Sequence, residues 1–339
     1  MRFKLLMAHC VVILILISAI INDCLAQLNA PMQDSTINNL VLPAEYETGQ
    51  LGVLKDVKKY GTGKQALILI PGLGFDASVY DDFVEANKDK YTMYAVTIPG
   101  YGKTMAPPMP PEGTSYGDQT WNKGVIHGIV RLIEKEKIQK PVIVGHFVQG
   151  TQLALRMAID YPEKVGGVII LGGPAKFIVA MKGQVRDFPL DTMILYTDKY
   201  TGPKWFKHMK KEWFDDNNIR PVIYSLDSVR GVALWKKSAA VPLPVMVRYS
   251  SEYFACDVKA EINTIQCPVL VLRATFNNKI LQNPINNYVA PQYIDSWNDA
   301  TKRNSHIRVK DIKDAASFVW KDQPSEVYKE ISEFLYKIR

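Results

Sequence analysis

Cysteine and histidine are scarce, four and five residues among 339. None falls at the paired spacings that hold zinc, so no metal is expected. No glycine-rich phosphate loop is present either, and no cofactor is expected. Internal repeats are missing, which argues against a solenoid or a propeller. Charge of one sign is not gathered into blocks. The 41 basic and 34 acidic residues are interspersed, apart from Lys207, Lys210 and Lys211. The formal charge of +7 therefore reads as solvated surface, not as a nucleic-acid footprint.

What is there is globular composition, 47% hydrophobic and 22% charged, in a chain long enough for a sizeable core. Such a length fits one large α/β domain with an insertion, or two small domains. The N-terminus reads as a targeting segment over residues 1–26. Arg2 and Lys4 precede an apolar stretch from Leu5 to Ile21, and Cys24-Leu25-Ala26 offers small residues for cleavage before Gln27. The expectation is an exported protein, periplasmic or secreted. The alternatives are an uncleaved leader serving as a membrane anchor, and a lipid on Cys24. Membrane association is expected only by those two routes. Cys256 and Cys267 then remain, either as one disulfide or as two buried thiols.

Residues 27–45 are polar and irregular and read as a tether. Leu51 to Tyr60 alternates weakly, as an edge strand does. The apolar runs Gln65–Ile70, Tyr91–Ile98, Val142–Val144, Val168–Leu171, Pro268–Leu272 and His306–Ile312 predict further strands. Helical spacing predicts helices over Trp121–Lys137, Thr151–Tyr161 and Glu326–Ile338. Strand and helix alternate, which implies a mostly parallel sheet covered by helices on both faces. Residues 174–262 change character, with Met, Trp, Tyr and Lys in helical pieces and no clear strand. They are expected to form a helical cap inserted into an α/β core made of residues 46–173 and 263–339.

Several stretches occur in the order that a known family has them: Pro71-Gly72-Leu73-Gly74, Ile98-Pro99-Gly100-Tyr101-Gly102-Lys103-Thr104, Gly145-His146 with Gly150, Tyr161-Pro162-Glu163-Lys164-Val165, Pro268–Leu272, and Phe318 with Asp322-Gln323-Pro324. On these residues the chain, over roughly 50–339, resembles the α/β-hydrolase fold superfamily, of the lidded esterase, haloalkane-dehalogenase and epoxide-hydrolase kind. The resemblance implies a nucleophile at the tip of a G-x-S-x-G elbow, a histidine that relays protons, and a carboxylate that orients it.

None of those three side chains is present. Phe147 stands at the elbow tip and has neither a lone pair nor a proton to exchange. Gln149 replaces the elbow's second glycine. Asn277 stands at the acid position, and Ser317 stands where the histidine belongs, just before Phe318. Other histidines offer little. His9 is in the leader, His127 is on a helix, His146 belongs to the elbow frame, and His306 begins the last strand. His208 in the cap, with Asp314, is the one weak alternative pair.

The electrostatic half survives in the sequence. The backbone N–H groups of Leu73 and Val148 occupy the positions that the family uses as an oxyanion hole, and such donors also bind a resting carbonyl or carboxylate. The expected ligand is a small apolar or aromatic molecule. Its walls are expected from Phe147, Gln149, Trp205, Phe206, Trp213, Trp235, Tyr249 and Tyr253. Phe147 then forms an apolar floor, or else merely fills the hollow of a lost nucleophile; Gln149 reads a polar group or points at solvent. Three functions compete on these residues: a non-hydrolytic binder, an enzyme with chemistry outside the triad, and a protein-interaction scaffold.

Overall fold

A computed structural model describes residues 48–181, 184–203 and 221–338. The expected leader and tether, and Trp205, Phe206, His208 and Trp213, lie outside the described residues.

The apolar runs become strands. In chain order these are β1 (Val57–Tyr60), β2 (Gln65–Ile70), β3 (Tyr91–Val96), β4 (Val142–His146), β5 (Gly167–Leu171), a small hairpin of β6 (Val179–Met181) and β7 (Gln184–Arg186), then β8 (Val269–Ala274) and β9 (Ile307–Ile312). Seven of them form one sheet in the order β1-β3-β2-β4-β5-β8-β9. Every pairing in it is parallel except β1 with β3. Burial on both faces explains why β2, β4, β5 and β8 read as continuous apolar runs instead of alternating ones. Leu67 and Leu69 point into one core layer, while Ile68 and Ile70 point into the other. At the edge, β1 leaves Lys58 and Lys59 exposed.

The helices that cover the sheet follow from their apolar faces. Val125, Ile129 and Ile133 of α2 (Thr120–Lys135) and Leu153 and Met157 of α3 (Phe147–Asp160) fill one layer. Phe83 of α1 (Asp81–Asn87) and the C-terminal helix (Pro324–Lys337), through Val327, Ile331 and Phe334, fill the other. Because the central strands are parallel, the chain segments leaving β2, β4, β8 and β9 emerge at one end of the sheet. That is the end at which open α/β sheets bind ligands.

Between β5 and β8 the chain makes an inserted segment. Its described helices are α4 (Leu190–Tyr196), α5 (Pro221–Tyr224), α6 (Ser228–Ala239) and α7 (Leu243–Phe254). The β6–β7 hairpin corrects the expectation of no strand there; three-residue strands are too short to register as a period. Nine residues of α7 are buried, among them Arg248 and Glu252. Arg248 Nη2 donates to Glu252 Oε1 at 2.7 Å. The Glu252 carboxylate also accepts the backbone N–H groups of Trp121 (3.0 Å) and Asn122 (2.8 Å), the free donors at the start of α2. Burial pushes the Glu252 carboxyl up, against the pull of Arg248 and the two amides.

Cys256 and Cys267 are both free thiols. Burial pushes Cys256 up to about 12 and Cys267 up to about 11. Neither is a ready nucleophile at neutral pH. Among the described residues no helix is long and apolar enough to cross a membrane.

Candidate functional site

The turn at the end of β4 carries no loop: the strand ends at His146 and α3 begins at Phe147. Two glycines make so sharp a reversal possible. A Cβ on Gly145 would lie 2.3 Å from the carbonyl oxygen of Gly150, and one on Gly150 would lie 2.6 Å from those of Ile70 and Pro71. The strain falls on Phe147, whose φ is +54°. A bulky residue in that region costs about 1–3 kcal/mol.

Aromatic packing offsets that cost. The Phe147 ring lies 5.4 Å from Tyr224, 6.3 Å from Tyr293 in a near-parallel stack, and 6.5 Å from both Phe75 and Phe318. Contacts of this kind are worth about 0.5–1.5 kcal/mol each beyond area burial. Only 4% of Phe147 is exposed.

His146 points away from the cavity into the protein. Its ring is enclosed by Phe318 at 4.2 Å, Trp320 at 4.7 Å, Phe75 at 6.2 Å and Tyr80 at 6.3 Å. Neither ring nitrogen has a partner. Burial, helped by the Lys321 charge, holds the imidazole neutral and well below the usual histidine range. His127 and His306 are exposed.

Asn277 and Ser317 are placed as structural groups. Asn277 caps a one-turn helix, its Oδ1 accepting the Ile280 N–H at 3.0 Å. Ser317 is fully buried, and its backbone N–H donates to Ile223 O of the inserted segment at 3.0 Å. Its hydroxyl has no hydrogen-bond partner among the described residues. Tyr293 links two of the vacated positions: it stacks on Phe147 and meets Phe276, beside Asn277, edge-on at 5.5 Å. Asp314 is exposed and does not border the cavity.

A cavity of about 280 Å³ lies over the elbow. Phe147, Val148 and Leu73 form its core side, and Tyr253 borders it from α7. Among the described residues, the N–H groups of Leu73 and Val148 have no protein acceptor. Val148 sits in the first turn of α3, where the helix dipole favours negative charge.

Three expected wall residues do not border this space. Gln149 is fully buried; its Oε1 accepts the Tyr101 hydroxyl at 2.6 Å and its Nε2 donates to Asn122 Oδ1 at 2.9 Å. The amide reads neither ligand nor solvent because two buried polar groups already use it. Tyr249 faces the opposite core layer, donating to Pro99 O at 2.9 Å and packing edge-on to Trp121 at 4.9 Å. Trp235 is half-buried against the other layer. Tyr224, Tyr293 and Phe75 are the residues that the sequence did not single out. Phe75, one position past the glycine loop, carried the one local signal. Among the described residues no group of His, Cys, Asp or Glu could hold a metal ion.

Known proteins share this architecture. A family model described as the alpha/beta hydrolase family matches residues 67–330. The pimeloyl-[acyl-carrier protein] methyl ester esterase of Wigglesworthia glossinidia brevipalpis is 25% identical over 117 residues, 34% of this chain and 39% of that one. A 2-hydroxy-6-oxononadienedioate/2-hydroxy-6-oxononatrienedioate hydrolase of a Pseudomonas species is 28% identical over 129 residues, 37% and 42% of the two chains. The match spans less than half the length of these curated relatives. Among solved structures, MenH from S. aureus superposes with a TM-score of 0.60 at 14% identity, over 84% of this chain and 99% of that one. The enol-lactonase from Burkholderia xenovorans LB400 does so with 0.59 at 13%, over 83% and 96%. Likeness at such low identity concerns the fold alone.

Proposed function

Since the chain belongs to the alpha/beta hydrolase family, we propose that it is a binding protein built on a hydrolase core. It takes up a small apolar molecule bearing a carbonyl or carboxylate and does not cleave esters by the nucleophile–histidine–acid route. The observation that carries this reading is Phe147 at the elbow tip, 4% exposed and ringed by aromatics. Among the described residues no histidine or carboxylate borders the cavity with it: the His146 imidazole is enclosed behind it, and Asn277 and Ser317 hold the chain in shape. The free amides of Leu73 and Val148 supply the polar end of the site. The N-terminal segment makes export part of the same proposal; a mature chain beginning at Gln27, read by mass, is the expected result.

Incubation with p-nitrophenyl esters and a fluorophosphonate probe is expected to give neither turnover nor labelling. Fatty or aromatic acids and esters are expected to raise the melting temperature, because a ligand that prefers the folded chain adds about 2.7 kcal/mol at a hundred times its Kd. Ester turnover that disappears on changing His208 or Asp314 would establish an enzyme instead. Reconstruction gives a positive control. Phe147→Ser, Asn277→Asp and Ser317→His together, with Tyr293→Ala to make room for the imidazole, are expected to create measurable esterase activity. Gln149 is left in place, since Gly there would strand the Tyr101 hydroxyl.

A further inference from the structure

Resting on the reading of this cavity as a binding site, we propose that its ligand is bifunctional. One carbonyl or carboxylate meets the amides of Leu73 and Val148, and a second hydrogen-bonding group, a hydroxyl or another carbonyl, meets Ser250, Tyr253 and Gln292. These three side chains border the cavity and are only 7%, 3% and 5% exposed. The Tyr253 hydroxyl has no partner. Among the described residues no hydrogen bond reaches the Ser250 hydroxyl or the Gln292 amide either.

A buried hydroxyl without a partner, such as that of Tyr253, is unusual in a folded chain, where buried polar groups are almost always paired. Just outside the cavity, polar side chains of similar burial are satisfied: Gln149 by Tyr101 and Asn122, Gln152 by the Tyr253 carbonyl at 3.3 Å, and Tyr249 by Pro99. Other unpartnered buried polar atoms, among them those of His146, Thr151, Ser251 and Ser317, belong to residues that do not border the cavity; Ser250, Tyr253 and Gln292 are set apart by lining it together.

The three groups come from two elements, Ser250 and Tyr253 from α7 and Gln292 from the helical turn Ala290–Ile294 between β8 and β9. The oxyanion amides come from the glycine loop and α3. One small polar head cannot serve both sets at once if its body fills the apolar middle between Phe147 and Phe254. All three groups are neutral and each can both donate and accept, which suits a hydroxyl. Burial keeps the Tyr253 phenol protonated. The volume, about 280 Å³, suits a molecule of one ring or a short chain.

The test uses the whole chain and four probes: methyl benzoate and its 2-, 3- and 4-hydroxy derivatives, with affinity read by calorimetry. At least one hydroxy isomer is expected to bind about 5- to 10-fold more tightly than methyl benzoate. That preference, read as the ratio to methyl benzoate in the same variant, is expected to fall within about twofold in Gln292→Leu and in Tyr253→Phe. Tyr253→Phe deletes an orphaned hydroxyl, so its melting temperature is expected to hold or rise. Equal affinity for all four esters in the unaltered chain would mean that the orphaned groups hold only water. The inference would then fall while the binding site stands. A hydroxy preference that survives in both variants would overturn the assignment to these residues. No binding of any ester would overturn the proposal and the reading beneath it together.

Discussion

At the scale of single residues, Phe147 is the informative one. A ring in a left-handed turn is costly, yet its removal is expected to cost more. Phe147→Ala is predicted to destabilise the chain by about 3 kcal/mol, read from the urea midpoint, because it opens a void among Phe75, Tyr224 and Tyr293. A stabilising outcome would show that the strain outweighs the packing. The elbow was legible because Gly145 and Gly150 are dictated by close backbone approach, and that requirement fixes where the tip falls. The ring's surroundings were not. Tyr224 ends the one-turn α5 and Tyr293 sits in a single helical turn, both too short to show a period, and side-chain pairing over long separations, such as Gln149 with Tyr101, leaves no mark on local spacing.

At the scale of elements, the start of α2 depends on a residue far along the chain. Its own N-cap position, Gln119, makes no side-chain cap, and Glu252 of α7 does that work while paired with Arg248. Glu252→Ala is predicted to cost about 3–5 kcal/mol, since it leaves Arg248 buried without its counter-charge. Glu252→Gln keeps one oxygen acceptor and is predicted to cost less. Hydrogen exchange at the Trp121 and Asn122 amides should speed up in the same order. The 3.6-residue period located α2 to within two residues of its observed ends. Nothing in that period announces that its first turn is capped from the inserted segment.

At the scale of the whole molecule, the architecture was largely legible: buried strands read as unbroken apolar runs, and their alternation with helices gave a mostly parallel sheet. The hairpin β6–β7 escaped because it is shorter than any usable window. One buried group links the whole fold to pH. His146 is neutral when folded and protonates near pH 6.5 when unfolded, so the unfolded chain binds the extra proton as pH falls. Its contribution to stability is present above that pH and is lost below it, by at most about 1.4 kcal/mol per pH unit. The difference in unfolding free energy between the native chain and His146→Leu, followed from pH 7 to 5.5, is predicted to shift accordingly against the native chain. A flat difference would mean that the imidazole is solvated. The margin of the sheet has a consequence of another kind. With Lys58 and Lys59 standing out from its terminal strand, two copies meeting side by side would bring like ammonium groups together. At this edge of the sheet the molecule carries its own protection against lateral polymerisation, where the backbone would otherwise invite an added ribbon.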